Sequence, residues 1–403
     1  MNQRNLKMRP VESKYMEQYN QLLRYVFQVT EQDLHEIGWQ DKEIIRAKFP
    51  TMEKADVLGW FDKETLVSQV AVYPMKARVF QRTYDMGGLT GVGTYPEYSG
   101  QGLMHKLLEQ ALKNMRKRGQ TISYLYPYSI PYYRRKGWEI VSDKISYEIK
   151  DYQLPKSKQV AGRVQRIDVD SEELKKTYER YAMRTHGAVL RDELAWNEYW
   201  LWDSDDIMAA VYYNENDEPD GYVIYWLSND IFHIKDMIFN NEAAHTGLWN
   251  FVSAHFSMID KVEGDTFTGE PLAFLLEDAN IQETISPYYM ARIVDFTAFV
   301  EKYPFKPDLA ERSWKFTLSD PVMECNQGTF LLSIGKDGQG KAERLKNEKC
   351  DDSISIQTMT TMLMGYKRPD YLSKIGRIMA SEATIDMLED SIEQQTPYIS
   401  DYF

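Results

Sequence analysis

The sequence predicts an α+β protein of three successive units, the first two mixed and mostly antiparallel sheets flanked by helices and the third an α/β unit of strands followed by helices. Three observations carry this expectation. At 403 residues the chain is long enough for two or three separately cored domains, taking ~150 residues per domain. Between residues 55 and 150, short apolar runs alternate with polar turns and surround one strongly periodic helix. A similar order begins again near residue 160, before the proline-rich stretch KYPFKPD near residue 300 opens a third pattern.

The elements follow in order. Ala55–Phe61, Leu66–Tyr73, Ala77–Tyr84 and Gly88–Thr94 read as strands of a meander, joined by short polar turns such as Asp62-Lys63-Glu64. Leu103, Met104, Leu107, Leu108, Ala111, Leu112 and Met115 then recur at helical spacing, with basic residues in the last turns and Gly119 as the stop. Ile122–Tyr126 and Trp138–Ile149 return as strands before Pro155. The second unit reads as strand Arg163–Val169, helix Ser171–Thr185, strands Ile207–Tyr213, Tyr222–Leu227 and Phe232–Phe239, and helix Glu242–Phe256. The third reads as strands Ser313–Leu318, Gly328–Ile334 and Lys341–Leu345. Helices Ile356–Met364, Pro369–Ile375 and Glu382–Glu393 follow, with Ser381 as a cap. The expected boundaries are 1–155, 156–298 and 299–403.

Composition removes several function classes. A net charge of −13 disfavours a nucleic-acid partner. No window approaches the ~18 consecutive apolar residues of a membrane span. The opening MNQRNLKMRP has no apolar signal core, so a cytoplasmic location is expected. With only Cys325 and Cys350, and six histidines scattered without ligand spacing, no disulfide framework and no metal site are expected.

The chemistry is carried by GVGTYPEYSGQGLMHKLLEQAL, which places a strand, a proline turn, two glycines and a helix in direct succession. Gly100 and Gly102 remove side chains that would hold backbone N–H groups away from a ligand. The helix opening at Leu103 adds unpaired N–H donors and the positive end of its dipole. Together they suit a pyrophosphate. The second unit passes from Phe239 into Asn240-Asn241-Glu242 without such glycines, so it reads as a copy that has lost cofactor binding.

VGTYPEYSGQGLMHKLL followed by YSIPYYRRKGW resembles the GNAT acetyltransferase superfamily, and the whole chain resembles the enhanced intracellular survival (Eis) family. That resemblance implies two fused GNAT folds, the first binding acetyl-CoA, then a sterol-carrier-protein-like α/β domain whose C-terminus reaches the active site. It further implies a homo-oligomer, typically a hexamer. By the same resemblance, Val92, Gly93 and Thr94 would contact the pantetheine. Gly100, Gln101, Gly102, Leu103, Met104 and His105 would hold the pyrophosphate, and Tyr128 and Ser129 would make a further cofactor contact. Glu97 departs from the family pattern, standing where Gln or Arg is usual.

Family spacing from Gly137-Trp138 selects Tyr133 over Tyr132 as the acid that protonates the leaving thiolate. The family assigns the base to the terminal carboxylate, here on Phe403. A free α-carboxyl titrates near ~3.5, so that role requires burial or a relaying water. Phe27, Asp33, Glu36 and Trp39 fall where the family carries acceptor-binding helices and mix aromatic walls with acids. The implied reaction is acetylation of primary amines on a cationic acceptor such as an aminoglycoside, a polyamine or a lysine side chain. The alternative is an apolar-ligand or acyl-carrier binding protein with vestigial acetyltransferase modules.

Overall fold

A computed structural model of the chain describes residues 6–36, 52–200, 206–308 and 310–403. The first of three sheets contains β1 (Leu6–Pro10), β2 (Asp56–Asp62), β3 (Thr65–Val79), β4 (Arg82–Thr94), β5 (Ile122–Leu125) and β6 (Glu139–Ile140). The second contains β7 (Asp143–Lys150), β8 (Arg163–Ile167), β9 (Met208–Tyr213), β10 (Pro219–Ser228), β11 (Ile231–Phe239), β12 (Lys261–Thr266) and β13 (Gln282–Pro287). β14 (Met290–Ile293) returns to the first sheet, giving the order β1-β2-β3-β4-β5-β14-β6. The second sheet runs β13-β7-β12-β11-β10-β9-β8. The third is built from β15 (Arg312–Ser319), β16 (Gly328–Ile334), β17 (Gly340–Leu345), β18 (Ser353–Ser355) and β19 (Ile378–Met379).

The first two sheets exchange strands. β7 follows directly on the first unit yet pairs between β12 and β13, while β14 comes after the second unit yet pairs between β5 and β6. The stretch Trp138–Ile149, expected as one strand, is therefore two short strands in two sheets, broken at Val141-Ser142. A second correction concerns Ala77–Tyr84, which spans a turn. β3 and β4 are the arms of one long hairpin reversing at Phe80-Gln81, with Phe80 at φ 50°. No glycine or asparagine marks this turn, and a tertiary contact holds it. The Phe80 N–H donates to Nδ1 of His186 at 2.8 Å, and the two rings stack at 3.9 Å.

α1 (Met16–Phe27), followed by the short α2 (Glu31–Glu36), crosses one face of the first sheet. α3 (Leu103–Lys117) buries Leu107, Leu108, Ala111, Leu112 and Met115 on the other face. α4 (Ile130–Arg134) is one turn, and α5 (Glu172–Arg184), α6 (Glu193–Trp200) and α7 (Glu242–Ser253) belong to the second unit. α8 (Phe296–Lys302), α9 (Ile356–Leu363), α10 (Pro369–Lys374) and α11 (Glu382–Ser391) complete the third, where Ser381 caps α11 by accepting from the Thr384 N–H. Tyr73, Val189, Phe299, Phe316, Met364 and Tyr398 fall in one continuous buried apolar cluster, so a single core runs through all three units.

The tail after α11 has neither helix nor strand, yet Tyr398 to Asp401 are buried. Backbone and side-chain partners replace regular structure. The Tyr398 N–H donates to the His186 carbonyl at 2.8 Å, and the Tyr398 hydroxyl donates to Asp236 at 3.0 Å. Arg191, whose side chain is fully buried, pairs with Asp401 at 2.7 Å beneath the faces of Tyr178 and Tyr199. The Tyr288 hydroxyl donates to the Asp401 carbonyl at 3.0 Å.

Asp401→Ala leaves the Arg191 guanidinium buried without its carboxylate, which typically costs ~3–5 kcal/mol. Chemical denaturation should show a loss of that order, whereas a well-tolerated Asp401→Ala would mean that the pair does not hold the tail. His186 supplies a pH prediction. Burial lowers its pKa to about 4, with Nε2 on the Met364 carbonyl at 2.8 Å. Because the folded value lies below the ordinary ~6.5, the unfolded chain takes the proton first. Stability is full above pH ~6.5 and falls as the pH drops towards 4, by ~3 kcal/mol in all. Thermal melts across that range should lose this acid sensitivity in part in His186→Asn.

Candidate active site

β4 and β5 run parallel but pair over only three residues, Met86 with Ile122, Gly87 with Ser123 and Gly88 with Tyr124. β4 then continues to Thr94 while β5 ends at Leu125, so the two strands part. Two features open this fork. A bulge shifts the β3 register between Gln69 and Ala71, opposite Gly91 at φ 61°. The hydroxyl of Tyr19, on α1, sits 2.5 Å from where a Gly91 Cβ would stand, so only glycine admits α1 there.

The fork opens into a cavity of about 1010 Å³. Of the residues expected to hold the cofactor, Val92, Gly93, Thr94, Met104, Tyr128 and Ser129 line it. Gly100, Gln101, Gly102, Leu103 and His105 lie outside its walls, on the loop and first turn of α3. Gly100 and Gly102 have φ of 75° and 72°, and a Cβ on either would meet open space. Gly102 is the N-cap of α3 and supplies no side-chain bond to the first turn, which leaves its N–H groups to a ligand. The imidazole of His105 is 2.8 Å from the Lys136 ammonium. Glu97 is exposed on the Pro96–Tyr98 turn.

Tyr133 and Phe403 line the same cavity. Tyr133 lies in α4 and packs in the apolar layer beneath α3, edge-on to Trp138 at 6.2 Å. Burial pushes its phenol well above the ordinary range, with the neighbouring Tyr132 adding to the effect. The turn after it is built on Gly137, φ 95°, because a Cβ there would overlap the guanidinium of Arg292 on β14. Arg292 donates to the Lys136 carbonyl and pairs with the fully buried Asp320 of the third unit. Phe403 arrives on the opposite face of the sheet. Its ring contacts Tyr289 and Tyr73 at 5.5 and 6.3 Å, and a Cβ on Gly88 would lie 2.8 Å from it.

The expected acceptor wall is only partly in place. Phe27 lines the cavity. Asp33 does not: its carboxylate takes the Thr30 N–H at 2.7 Å and the Thr30 hydroxyl at 2.6 Å, which closes the first turn of α2 and lowers its pKa. Glu36 ends α2 with its side chain outside the described residues, and Trp39 lies outside them altogether. Sequence reasoning missed Tyr19, Asn20, Leu23, Arg135 and Glu198 in the wall. Spacing of Tyr19, Leu22, Leu23 and Val26 could have flagged α1 as a helix. Nothing local could have brought Glu198 from α6 to the fork. Among the described residues no group of three or more His, Cys, Asp or Glu could hold a metal ion, and no helix is long and apolar enough to cross a membrane.

Residues 7–141 and 187–293 match acetyltransferase (GNAT) domain families, and residues 296–400 match a sterol carrier protein domain. The chain belongs to the GNAT acetyltransferases. It is a tandem GNAT N-acetyltransferase that uses acetyl-CoA, with a sterol-carrier-like domain after its two GNAT domains. An uncharacterized N-acetyltransferase of Streptomyces griseus is 21% identical over 399 residues, spanning 91% of this GNAT chain and 94% of that one. A probable N-acyltransferase from Enterococcus faecalis V583 superposes with a TM-score of 0.89 at 24% identity, over 99% of this chain and 100% of the other. Eis1 from Mycobacterium abscessus gives 0.80 at 19%, over 99% and 100%. At such identities the shared property is the fold, here all three domains of the GNAT chain.

Gly88→Ala places its new methyl against the Phe403 ring and should displace the last residue from the fork. Carboxypeptidase should then release Phe403 faster than from the wild type at equal melting temperature. Equal release rates would mean that Gly88 does not seat the terminus.

Proposed function

We propose that the first GNAT domain moves the acetyl group of acetyl-CoA to a primary amine of a cationic acceptor, an aminoglycoside, a polyamine or a lysine side chain, by direct attack. One observation carries this reading: Tyr133 and Phe403 reach one cavity from opposite faces of the sheet, at the place where β4 and β5 part. A thioester lying in the fork would have a phenol on one side and the chain's terminal carboxylate on the other.

The chemistry follows from those positions. The amine must lose a proton before its lone pair can attack the carbonyl carbon, and the Phe403 carboxylate accepts it. As the C–N bond forms and the C–S bond breaks, the electron pair goes to sulfur, and Tyr133 donates its phenolic proton to the thiolate. A phenol held above its ordinary pKa stays protonated at neutral pH, which is the state an acid needs. The unpaired edge of β4 offers backbone groups to the amides of the pantetheine arm, and the open Gly100–Gly102 loop suits the pyrophosphate.

Cofactor binding is assigned to the first domain alone. In the second, the Asn241 side chain accepts from the Ala244 N–H at 2.8 Å and so uses a donor of the α7 N-terminus. β11 and β12 also pair in parallel, as far as Ile234 with Gly264. Just beyond that point Tyr398 of the tail bonds Asp236 and packs on Phe267 at 6.0 Å. The chain itself covers the corresponding place.

Tyr133→Phe should lower kcat by ~10²–10⁴ with acetyl-CoA affinity kept, the range expected for loss of a positioned acid. Release of CoA thiol with an amine panel checks this, and an unchanged kcat would remove Tyr133 from the chemistry. One glycine appended after Phe403 moves the carboxylate by a residue, ~3.5 Å of chain. It should depress turnover severely at unchanged acetyl-CoA affinity. Full turnover in that variant would exclude the terminal carboxylate as base.

A further inference from the structure

The short turn that carries Tyr133 is gripped by the sterol-carrier-like domain. α4 spans only five residues, too few to hold a position by itself, so its partners decide where the phenol stands. Arg134, the residue after Tyr133, is held at two points. Its carbonyl accepts from the Gly137 N–H at 3.1 Å and from Nε2 of Gln357, on α9, at 2.8 Å. Its guanidinium donates from Nε to Oε1 of Glu139 at 2.8 Å.

Glu139 joins the two domains. Its side chain is 2% exposed, and its two oxygens are divided between two guanidinium groups. Oε1, which takes Arg134, also accepts from the Ile140 N–H at 2.9 Å, while Oε2 accepts from Nη2 of Arg377 at 2.6 Å. Arg377 stands just before β19 in the third domain, and its Nε donates to the Thr358 hydroxyl of α9 at 3.1 Å. On the same helix, the Thr361 hydroxyl donates to the Ile140 carbonyl at 2.8 Å. The third domain therefore meets residues 134, 139 and 140, on both sides of the Gly137 turn.

We propose that Arg377 is a positioning residue for Tyr133, acting through Glu139 and Arg134. This rests on the reading of Tyr133 as the acid. Without Arg377, Oε2 loses the bond that fixes the orientation of the carboxylate, and Arg134 loses the geometry that carboxylate offers it. The cost to folding is limited, because the Arg377 and Arg134 side chains are partly exposed and Glu139 keeps its other donors. Proton transfer to a departing thiolate is less tolerant, since it depends on hydrogen-bond reach, and displacement of a reacting group by ~1 Å costs up to ~100-fold in rate. On this view the sterol-carrier-like domain takes part in acetyl transfer without needing a ligand of its own.

The test is a mutant cycle on the full chain, with CoA thiol release measured on spermidine, kanamycin and Nα-acetyl-lysine. Arg377→Met should lower kcat by about 10- to 100-fold at unchanged acetyl-CoA affinity. Arg377→Lys, which keeps a cation for Oε2 but not the donor to Thr358, should recover part of the loss. In a Tyr133→Phe background Arg377→Met should have almost no further effect, because groups that act as a unit are not additive. Gln357→Met removes the other grip on Arg134 and should lower kcat in the same direction, which serves if Arg377→Met does not fold. A wild-type kcat in Arg377→Met, a full additional loss in the Tyr133→Phe background, or a parallel loss of acetyl-CoA affinity would each overturn the proposal. A meta-fluorotyrosine incorporated at residue 133 reports position without turnover. Its fluorine resonance should move in Arg377→Met and return towards the wild-type position in Arg377→Lys, and an unmoved resonance would also overturn the proposal. If Tyr133→Phe alone leaves kcat unchanged, the reading of Tyr133 as acid fails, while the resonance still decides whether Arg377 places the turn.

Discussion

The buried pair between Arg191 and Asp401 is the constraint on which the candidate active site depends. Two charges held at 2.7 Å, in an environment that hides the arginine entirely, tolerate little displacement. Asp401 is two residues from the end of the chain, so fixing it fixes Phe403 to within the reach of two residues. The partners that satisfy the rest of the tail come from every unit. His186 of the second domain takes the Tyr398 N–H, and its imidazole joins Phe80 of the first to Met364 of the third. A tail without helix or strand is thereby as well defined as a strand would be.

A second buried pair does the corresponding work for the turn after Tyr133. Arg292 stands on a strand that left the second domain to complete the first sheet, and its partner Asp320 belongs to the third. Asp320 is itself held by the N–H groups of Val322 and Met323 and by Asn326. The guanidinium fills the space beneath Gly137, which shapes the turn after Tyr133. The exchange of β7 and β14 between sheets thus has a consequence for chemistry. Three domains converge on one turn and one terminus, and neither would be placed by the first domain alone.

Local signals in the sequence were sufficient for parts that local physics builds. The α3 periodicity, the glycine loop and the Ser381 cap all depend on residues a few positions apart, and they stand where the spacing puts them. The errors share a cause of the opposite kind. Phe80 adopts a left-handed turn because His186, 106 residues later, stacks on it and takes its N–H. Trp138–Ile149 breaks because its two halves find partners in different sheets. Asp33 is the exception, because the partner that takes its carboxylate, Thr30, lies only three residues upstream.

What the sequence by itself determined was the helix α3 and the open Gly100–Gly102 loop before it, because backbone freedom at those glycines and the dipole of the following helix are properties of a continuous segment. The resemblance added Tyr133 and Phe403 as candidates. Only the tertiary structure decided that these two enter one cavity from opposite faces of a sheet, and that Glu198 of another domain joins them. The reason is that each is placed by contacts far apart in sequence, Arg191 with Asp401 and Arg292 with Asp320, whose strength comes from burial, and burial is a property of the assembled core.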